Sequence, residues 1–236
     1  MLRFYGLRVL KDYLGHIILI GLPLALLTIN TYISVENGAV QEEAALYIGL
    51  VYIFMFQVFG AAYTFEGMEH DFYKPFKNRL FAAPIRPTKF ILANLFFSTL
   101  VSFLQSLVIL SYVVIVFGVR IPNWGLILVV FLFSVMFAQL LAAVLIIFLK
   151  KANKAQAAIT LYAIGGTMLS GLFFQLPENS LTEILEKYST PIAWAFTSSN
   201  AWIEGNFEQG IQFLVMLVGI TILAGLFLIK LTKRVV

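Results

Sequence analysis

Six long apolar runs alternate with short polar intervals along this chain of 236 residues. A helix needs about 20 apolar residues to cross a hydrocarbon core of about 30 Å, and each run comes close to or exceeds that length. The pattern therefore predicts an all-α integral membrane protein with six transmembrane helices, at residues 13–33, 45–63, 90–117, 124–149, 155–174 and 211–229. No soluble domain fits between the runs, so residues 1–236 are predicted to form a single transmembrane domain.

The first run is predicted to remain in the mature protein. It is too long for the core of a signal peptide, and no small-residue cleavage site follows it. Pro23 lies inside it and predicts a bend. In the preceding residues, 1–12, Arg3, Arg8 and Lys11 alternate with apolar residues, which fits either an interfacial helix or a simple positively charged flank.

Composition excludes a soluble domain and several kinds of chemistry. Hydrophobic residues make up 61% of the chain, charged residues 12%, and the mean hydropathy is +0.92. The absence of cysteine excludes disulfides, thiolate metal sites and thiol catalysis. Two histidines, His16 and His70, make a histidine-based metal site improbable.

The charged residues indicate the orientation. With both termini in the cytoplasm, 14 of the 16 Lys and Arg lie inside, and only Arg120 and Lys187 lie outside. The same arrangement places 8 of the 12 acidic residues outside. The basic residues flank apolar runs and do not form a face, so orientation in the membrane explains them better than binding of nucleic acid.

The long outside segment, residues 175–210, is predicted to be re-entrant or amphipathic. Ser180 and Glu183 have the spacing of a capping box, and apolar residues follow at helical spacing. A short helix is expected to begin at Ser180 and end before Pro191. It would lie against the outer leaflet or cap the other helices.

Inside the runs the polar residues are neutral. No Asp, Glu, Lys or Arg falls within them, which weakens the hypothesis of an ion-coupled transporter. There is no Walker A sequence, so energy for active transport would have to come from another chain. The third run carries a polar stripe on one helical face: Asn94, Ser98, Ser102, and Gln105 or Ser106. The stripe could line a substrate pathway. The interpretation we favour is that it holds helices together through hydrogen bonds. Hydrogen bonding between helices is also the favoured interpretation for Gln57, Gln139 and Gln156.

A polar interval at residues 66–89 separates the second and third runs. Acidic residues come first, basic residues follow, and aromatic and apolar residues lie between them: Glu66, Glu69, Asp71, Phe72, Lys74, Phe76, Lys77, Arg79 and Leu80. An interfacial amphipathic helix with both charge signs and exposed aromatics would suit docking of a soluble partner. Composition alone also fits an ordinary basic cytoplasmic loop.

Three short sequences in this order resemble the six-span permeases of ABC-2 type transporters. They are LFAAPI at residues 80–85, SGLFFQLP at residues 170–177, and the pair Thr190-Pro191. The similarity extends over nearly the whole chain. Pro75, Gln175 and Thr190 depart from the usual pattern, in the coupling segment and in the outer loop.

The resemblance implies an ABC-2 (type V exporter-like) permease, made of two such chains as a homodimer or heterodimer. It implies two copies of a cytoplasmic ABC ATPase subunit that bind ATP and Mg²⁺, whereas this chain binds no cofactor and has no catalytic residue. Residues 69–80 would be the coupling helix, Lys151 and Lys154 a second contact, and the first and fifth spans the dimer interface. Phe173, Phe174 and Leu176 would lie at the outer gate. The expected setting is the lipid of a bacterial plasma membrane.

Rival functions remain at this point. An intramembrane protease or headgroup transferase would need a nucleophile with a base, or clustered carboxylates, which the runs do not offer. A passive channel or a membrane-protein assembly factor would not require a coupling segment. An uncharged pathway suits lipids, amphipathic peptides and hydrophobic drugs or antibiotics equally.

Overall fold

The computed structural model describes residues 6, 8, 11–75, 78, 87–174, 176–177 and 179–235. Over these residues the protein is helical and has no β-strand. The helices are α1 (Tyr13–Glu36), α2 (Gln41–Phe59), α3 (Ala62–Phe72), α4 (Pro87–Phe117), α5 (Trp124–Leu149), α6 (Ala152–Leu169), α7 (Ser180–Tyr188), α8 (Pro191–Glu204) and α9 (Phe207–Val235).

Five segments in the described part of the chain are long and apolar enough to cross a membrane. They are Tyr13–Glu36, Gln41–Phe72, Thr88–Phe117, Trp124–Leu149 and Phe207–Thr232. Five of the six predicted spans therefore have a matching helix. The remaining one corresponds to α6, which has 18 residues and begins with the polar residues Asn153, Lys154 and Gln156.

Helix α6 also ends earlier than predicted. We expected helix to Phe174, but α6 ends at Leu169, so this boundary is wrong. The Ser170 hydroxyl donates a 2.7 Å hydrogen bond to the carbonyl oxygen of Gly166, and Gly171 follows with φ +65°. A left-handed glycine after the last turn is a common way to stop a helix.

The second span continues further than predicted. Helices α2 and α3 follow one another with a short break at Gly60 and Ala61, and α3 reaches Phe72. Phe65, Met68 and Phe72 recur at helical spacing and are buried against α4, α5 and α6. The prediction that Phe72 is exposed is therefore wrong, because it belongs to the buried face of α3.

The short helix predicted to begin at Ser180 is confirmed as α7, although its cap is different. The N-cap is Asn179, not Ser180. Its side chain accepts hydrogen bonds from the backbone N–H groups of Leu181 and Thr182, and the hydroxyl of Thr182 accepts one from the backbone N–H of Asn179. The apolar side chains of α7 are uncovered in the single chain, with Leu181 72% exposed. Helix α8 packs against α2, α5, α6 and α9 and buries Trp202.

The core surrounds α2 and α3, which pack against α1, α4, α5, α6 and α8. In the apolar 18-residue stretch of the Gln41–Phe72 span, 72% of the residues are buried, compared with 22% in the corresponding stretch of α1 and 17% in that of α9. Helices α1 and α9 therefore expose large apolar faces. Lipid or another chain must cover these faces.

Glycines allow α2 and α3 to approach α4 closely. A Cβ added at Gly49 would lie 2.7 Å from Cγ2 of Val113, and one at Gly60 would lie 2.5 Å from Oγ of Ser102. Small residues at such contacts are typical of membrane helices, where close van der Waals packing drives association.

Replacing Gly49 with alanine is expected to lower the free energy of unfolding by about 1–3 kcal/mol, because Val113 is buried and stiff. Thermal unfolding in one detergent would measure the effect. The matched control is Gly165→Ala, where no described atom lies within 4 Å and where alanine is expected to stabilise the helix by up to about 1 kcal/mol. Equal unfolding temperatures for the two variants would contradict the close contact.

Candidate coupling surface and buried polar sites

Glu69 joins the end of α3 to the start of α6. One of its carboxylate oxygens, Oε1, accepts a 3.1 Å hydrogen bond from the backbone N–H of Ala152, and Oε2 lies 3.1 Å from Nζ of Lys74. The first N–H groups of a helix lack partners within the helix and favour a nearby negative charge. Two segments predicted separately, the 66–89 interval and the loop before α6, therefore meet at one end of the bundle. We call this contact the α3–α6 junction.

Asp71 faces the interior. Its side chain is 2% exposed and lies 3.1 Å from NH1 of Arg8 and 3.0 Å from Nδ1 of His70. The other guanidinium nitrogen of Arg8 donates to the backbone carbonyl of Glu66 at 3.2 Å. A buried carboxylate is strongly unfavourable unless it is paired. Asp71 thus holds the side chain of Arg8 against α3.

The described basic residues predicted for coupling are exposed, whereas Asp71 is buried. Lys74, Lys151 and Lys154 are exposed at the α3–α6 junction, and Lys150 beside them is exposed too. Phe76, Lys77, Arg79 and Leu80 lie outside the described residues. The described surface at this end is therefore basic, and it is the part of the junction that a soluble partner can reach.

The polar stripe of α4 is buried and forms hydrogen bonds between helices. Gln139 of α5 donates from Nε2 to Oγ of Ser102 at 3.0 Å and accepts at Oε1 from the hydroxyl of Thr64 at 2.6 Å. Asn94 donates to the carbonyl of Thr64 at 3.2 Å. Ser98 is also buried on this face, but its hydroxyl forms no hydrogen bond with the described residues. These bonds support the interpretation of the stripe as contacts between helices, and its role as a substrate pathway stays a prediction.

Two further contacts extend this network along α4. Gln57 of α2 donates from Nε2 to Oγ of Ser106 at 3.0 Å. Gln105 donates to the phenolic oxygen of Tyr63 at 2.8 Å, and that oxygen lies 2.8 Å from Nδ1 of His16. The sequence singled out the glutamines but not Tyr63 or His16 as their partners. Tyr63 lies among apolar residues in the sequence, so no polar pattern predicted its hydrogen bond, and its partner Gln105 is 42 residues away.

Of the three residues predicted for the outer gate, Phe173 lines a cavity of about 270 Å³ between α1, α2 and the segment after α6. Phe173 and Phe174 are 42% and 49% exposed, and Leu176 is half-buried. The ring centroid of Phe173 lies 6.5 Å from that of Tyr52. Phe173 therefore lines the cavity, and the gating role of all three residues stays a prediction.

Replacing Gln139 with leucine is expected to lower the free energy of unfolding by about 1–2 kcal/mol, since two hydrogen bonds between helices are lost. Thermal unfolding in detergent would detect the loss. Gln156→Leu is the matched control, because the hydrogen bond of Gln156 stays within α6. An equal effect of the two substitutions would show that the bonds of Gln139 contribute no more than an intrahelical contact.

Comparison with known proteins agrees with this architecture. A family model described as "ABC-2 family transporter protein" matches residues 17–230, from α1 to α9. A search of curated proteins found no match, and a search of solved structures found none. Permeases of the matched family are not themselves catalytic and normally work with an ATP-binding subunit. The chain therefore belongs to the ABC-2 transporter family, as a membrane-spanning permease component.

Proposed function

We propose that this chain is the permease subunit of an ATP-driven exporter that moves an amphipathic or hydrophobic substrate out of the cell. The observation that carries the proposal is the α3–α6 junction. There, Glu69 links Lys74 at the end of α3 to the backbone of Ala152 at the start of α6. A partner docked on the basic surface of this junction would contact both segments at once.

The junction is connected to the membrane-spanning helices through α3 and α6. Helix α3 continues α2 across a two-residue break, and α2 contacts α1, α4, α5, α6 and α8. Closure of two ATPase subunits around ATP would draw the two coupling segments together and tilt α2 and α6 with them. ATP must then bind one of the two arrangements better than the other, since only differential affinity shifts an equilibrium.

Helix α6 is proposed to complete the set of six spans, as the fifth in chain order. Its 18 residues extend about 27 Å, close to the thickness of the hydrocarbon core. The loop before it is two residues long and includes Lys150 with φ 56°, which fits a chain that turns back between α5 and α6. Its lower hydropathy fits a helix that buries Ala155, Ile159 and Ala163 against α2, α3, α5 and α8. Six spans place both termini and the junction on one side, the cytoplasm.

The proposed assembly contains two permease chains and two ATPase subunits in the plasma membrane of a bacterium. The ATPase subunits hold ATP and Mg²⁺. The exposed apolar faces of α1 and α6, which include Ile17, Ile18 and Leu161, are candidates for the contact between permease chains. The same faces suit lipid where no partner covers them.

Charge reversal at the basic surface is expected to release the ATPase subunit. In cells of the native host, tagged wild-type chain should co-purify with an ATP-binding protein that hydrolyses ATP. Lys77→Glu/Arg79→Glu should abolish the association, and Lys151→Glu/Lys154→Glu should weaken it about tenfold or more, since like charges across an interface cost several kcal/mol. Quantitative recovery of the partner and its ATPase rate are the measurements.

Lys187→Glu is the matched control, because it reverses an exposed lysine at the predicted outer end and disturbs only the 3.1 Å pair with Glu183. It should keep the partner. A wild-type chain that purifies alone, without ATPase activity, would favour a passive channel or an assembly factor. Loss of the partner in Lys187→Glu but not in Lys151→Glu/Lys154→Glu would mean the opposite orientation.

A further inference from the structure

A second cavity lies between α1, α2, α3 and α6 and has a volume of about 400 Å³. Its wall on the membrane side is apolar and aromatic, and two carboxylates lie at its other end. The lining includes Leu19, Leu22, Phe56 and Phe59 in the apolar part, and Asp12 and Glu66 at the charged end. The volume falls in the range of small-molecule sites, about 300–1,000 Å³.

The carboxylates at this cavity have few partners within the chain. Asp12 is the N-cap of α1 and accepts one hydrogen bond, from the backbone N–H of Gly15 at 3.1 Å. The carboxylate of Glu66 receives no hydrogen bond from the described residues and lies at the mouth of the cavity. Two negative charges at the edge of an apolar site favour a bound cation.

The neighbouring basic groups Arg8 and Lys74 place positive charge near Glu66, but neither lines the cavity. Arg8 is directed to Asp71 and to the backbone carbonyl of Glu66, and Lys74 is paired with Glu69. Lys11 is exposed beside Asp12. Among the described residues, no basic side chain lines the cavity.

The shape of the cavity matches a molecule with a charged head and an apolar body. From Asp12 to Leu22 helix α1 rises about 15 Å, about half the thickness of the hydrocarbon core. Leu14, Ile18 and Leu22 line the cavity and are 74%, 55% and 47% exposed, so its α1 side is uncovered in the single chain and faces lipid wherever a second permease chain does not cover α1. A molecule dissolved in the adjacent leaflet can enter there without losing its apolar surroundings.

We propose that the cavity formed by α1, α2, α3 and α6 is a binding site for a cationic amphipathic substrate, with Asp12 and Glu66 contacting the cation and Leu19, Phe56 and Phe59 the apolar body. This names the substrate class of the exporter, and therefore rests on the proposed function for its role in transport. Binding itself requires neither ATP nor an ATPase subunit.

The test compares two probes of nearly the same shape and opposite charge, tetraphenylphosphonium and tetraphenylborate. Full-length chain, with whatever partner co-purifies, is placed in lipid nanodiscs, and binding of radiolabelled tetraphenylphosphonium is measured against empty nanodiscs. Saturable binding is expected, with competition by unlabelled tetraphenylphosphonium and none by tetraphenylborate. Asp12→Asn/Glu66→Gln should weaken the affinity about tenfold, as removal of two partly exposed charge contacts implies.

Both substitutions keep the shape of the site, and asparagine is as good an N-cap as aspartate. Glu66→Gln alone serves as a second variant, since its side chain holds no hydrogen bond to the described chain, and should weaken binding about threefold. Glu42→Gln/Glu43→Gln removes two exposed charges at the other end of the α1–α2 hairpin and should bind as the wild type does.

Equal affinity in wild type and Asp12→Asn/Glu66→Gln would overturn the proposal. So would equal competition by tetraphenylborate, or an absence of saturable binding, which would assign the cavity to a lipid tail or to a second copy of the chain. Failure of the ATPase subunit to co-purify would overturn the proposed function and leave the binding result intact, so the two failures are distinguishable.

Discussion

The hydrogen bonds of Gln139 to Thr64 and Ser102 connect α3, α4 and α5 in the interior of the bundle. In hydrocarbon, a polar group without a partner is costly, so the polar side chains of a membrane helix must find partners on its neighbours. Gln57 with Ser106, and Gln105 with Tyr63, meet the same requirement at other positions along α4. The outward surfaces of α1 and α9 can then remain apolar.

This buried network determines which elements form the body of the molecule and which lie at its edge. Helices α2 to α5 share polar bonds and close glycine contacts, and α1 adds hydrogen bonds to them through Thr28 and Asn30. Most of the surface of α1 and of α9 is nevertheless uncovered in the single chain. An edge helix with a large uncovered face can be covered by lipid, by a second chain or by a substrate. The cavity with Asp12 and Glu66 lies at such an edge, between α1 and the body.

Helix α3 connects the two functional proposals. Glu66 lines the cavity, and Glu69, one turn further along, holds the α3–α6 junction. Asp71, two residues after Glu69, is paired with Arg8. A ligand between α1 and α3 and a partner at the junction therefore act on the same helix. Energetic coupling between two sites requires such a shared element, whose position both ligands bias.

The sequence by itself determined the class of protein, the five strongest spans and the basic end of the bundle, because hydropathy, helical period and charge are properties of neighbouring residues. It also placed the polar stripe of α4 on one face, and it led to the family that residues 17–230 match. Only the tertiary structure decided which way the side chains of residues 66–72 point. Asp71 and Phe72 have the composition of a docking surface, yet they are buried because α3 packs against α4, α5 and α6. The contact of Glu69 with Ala152, and the meeting of Asp12 and Glu66 at one cavity, join residues 83 and 54 positions apart in the chain. No local pattern encodes such distances, since they follow from how the helices pack.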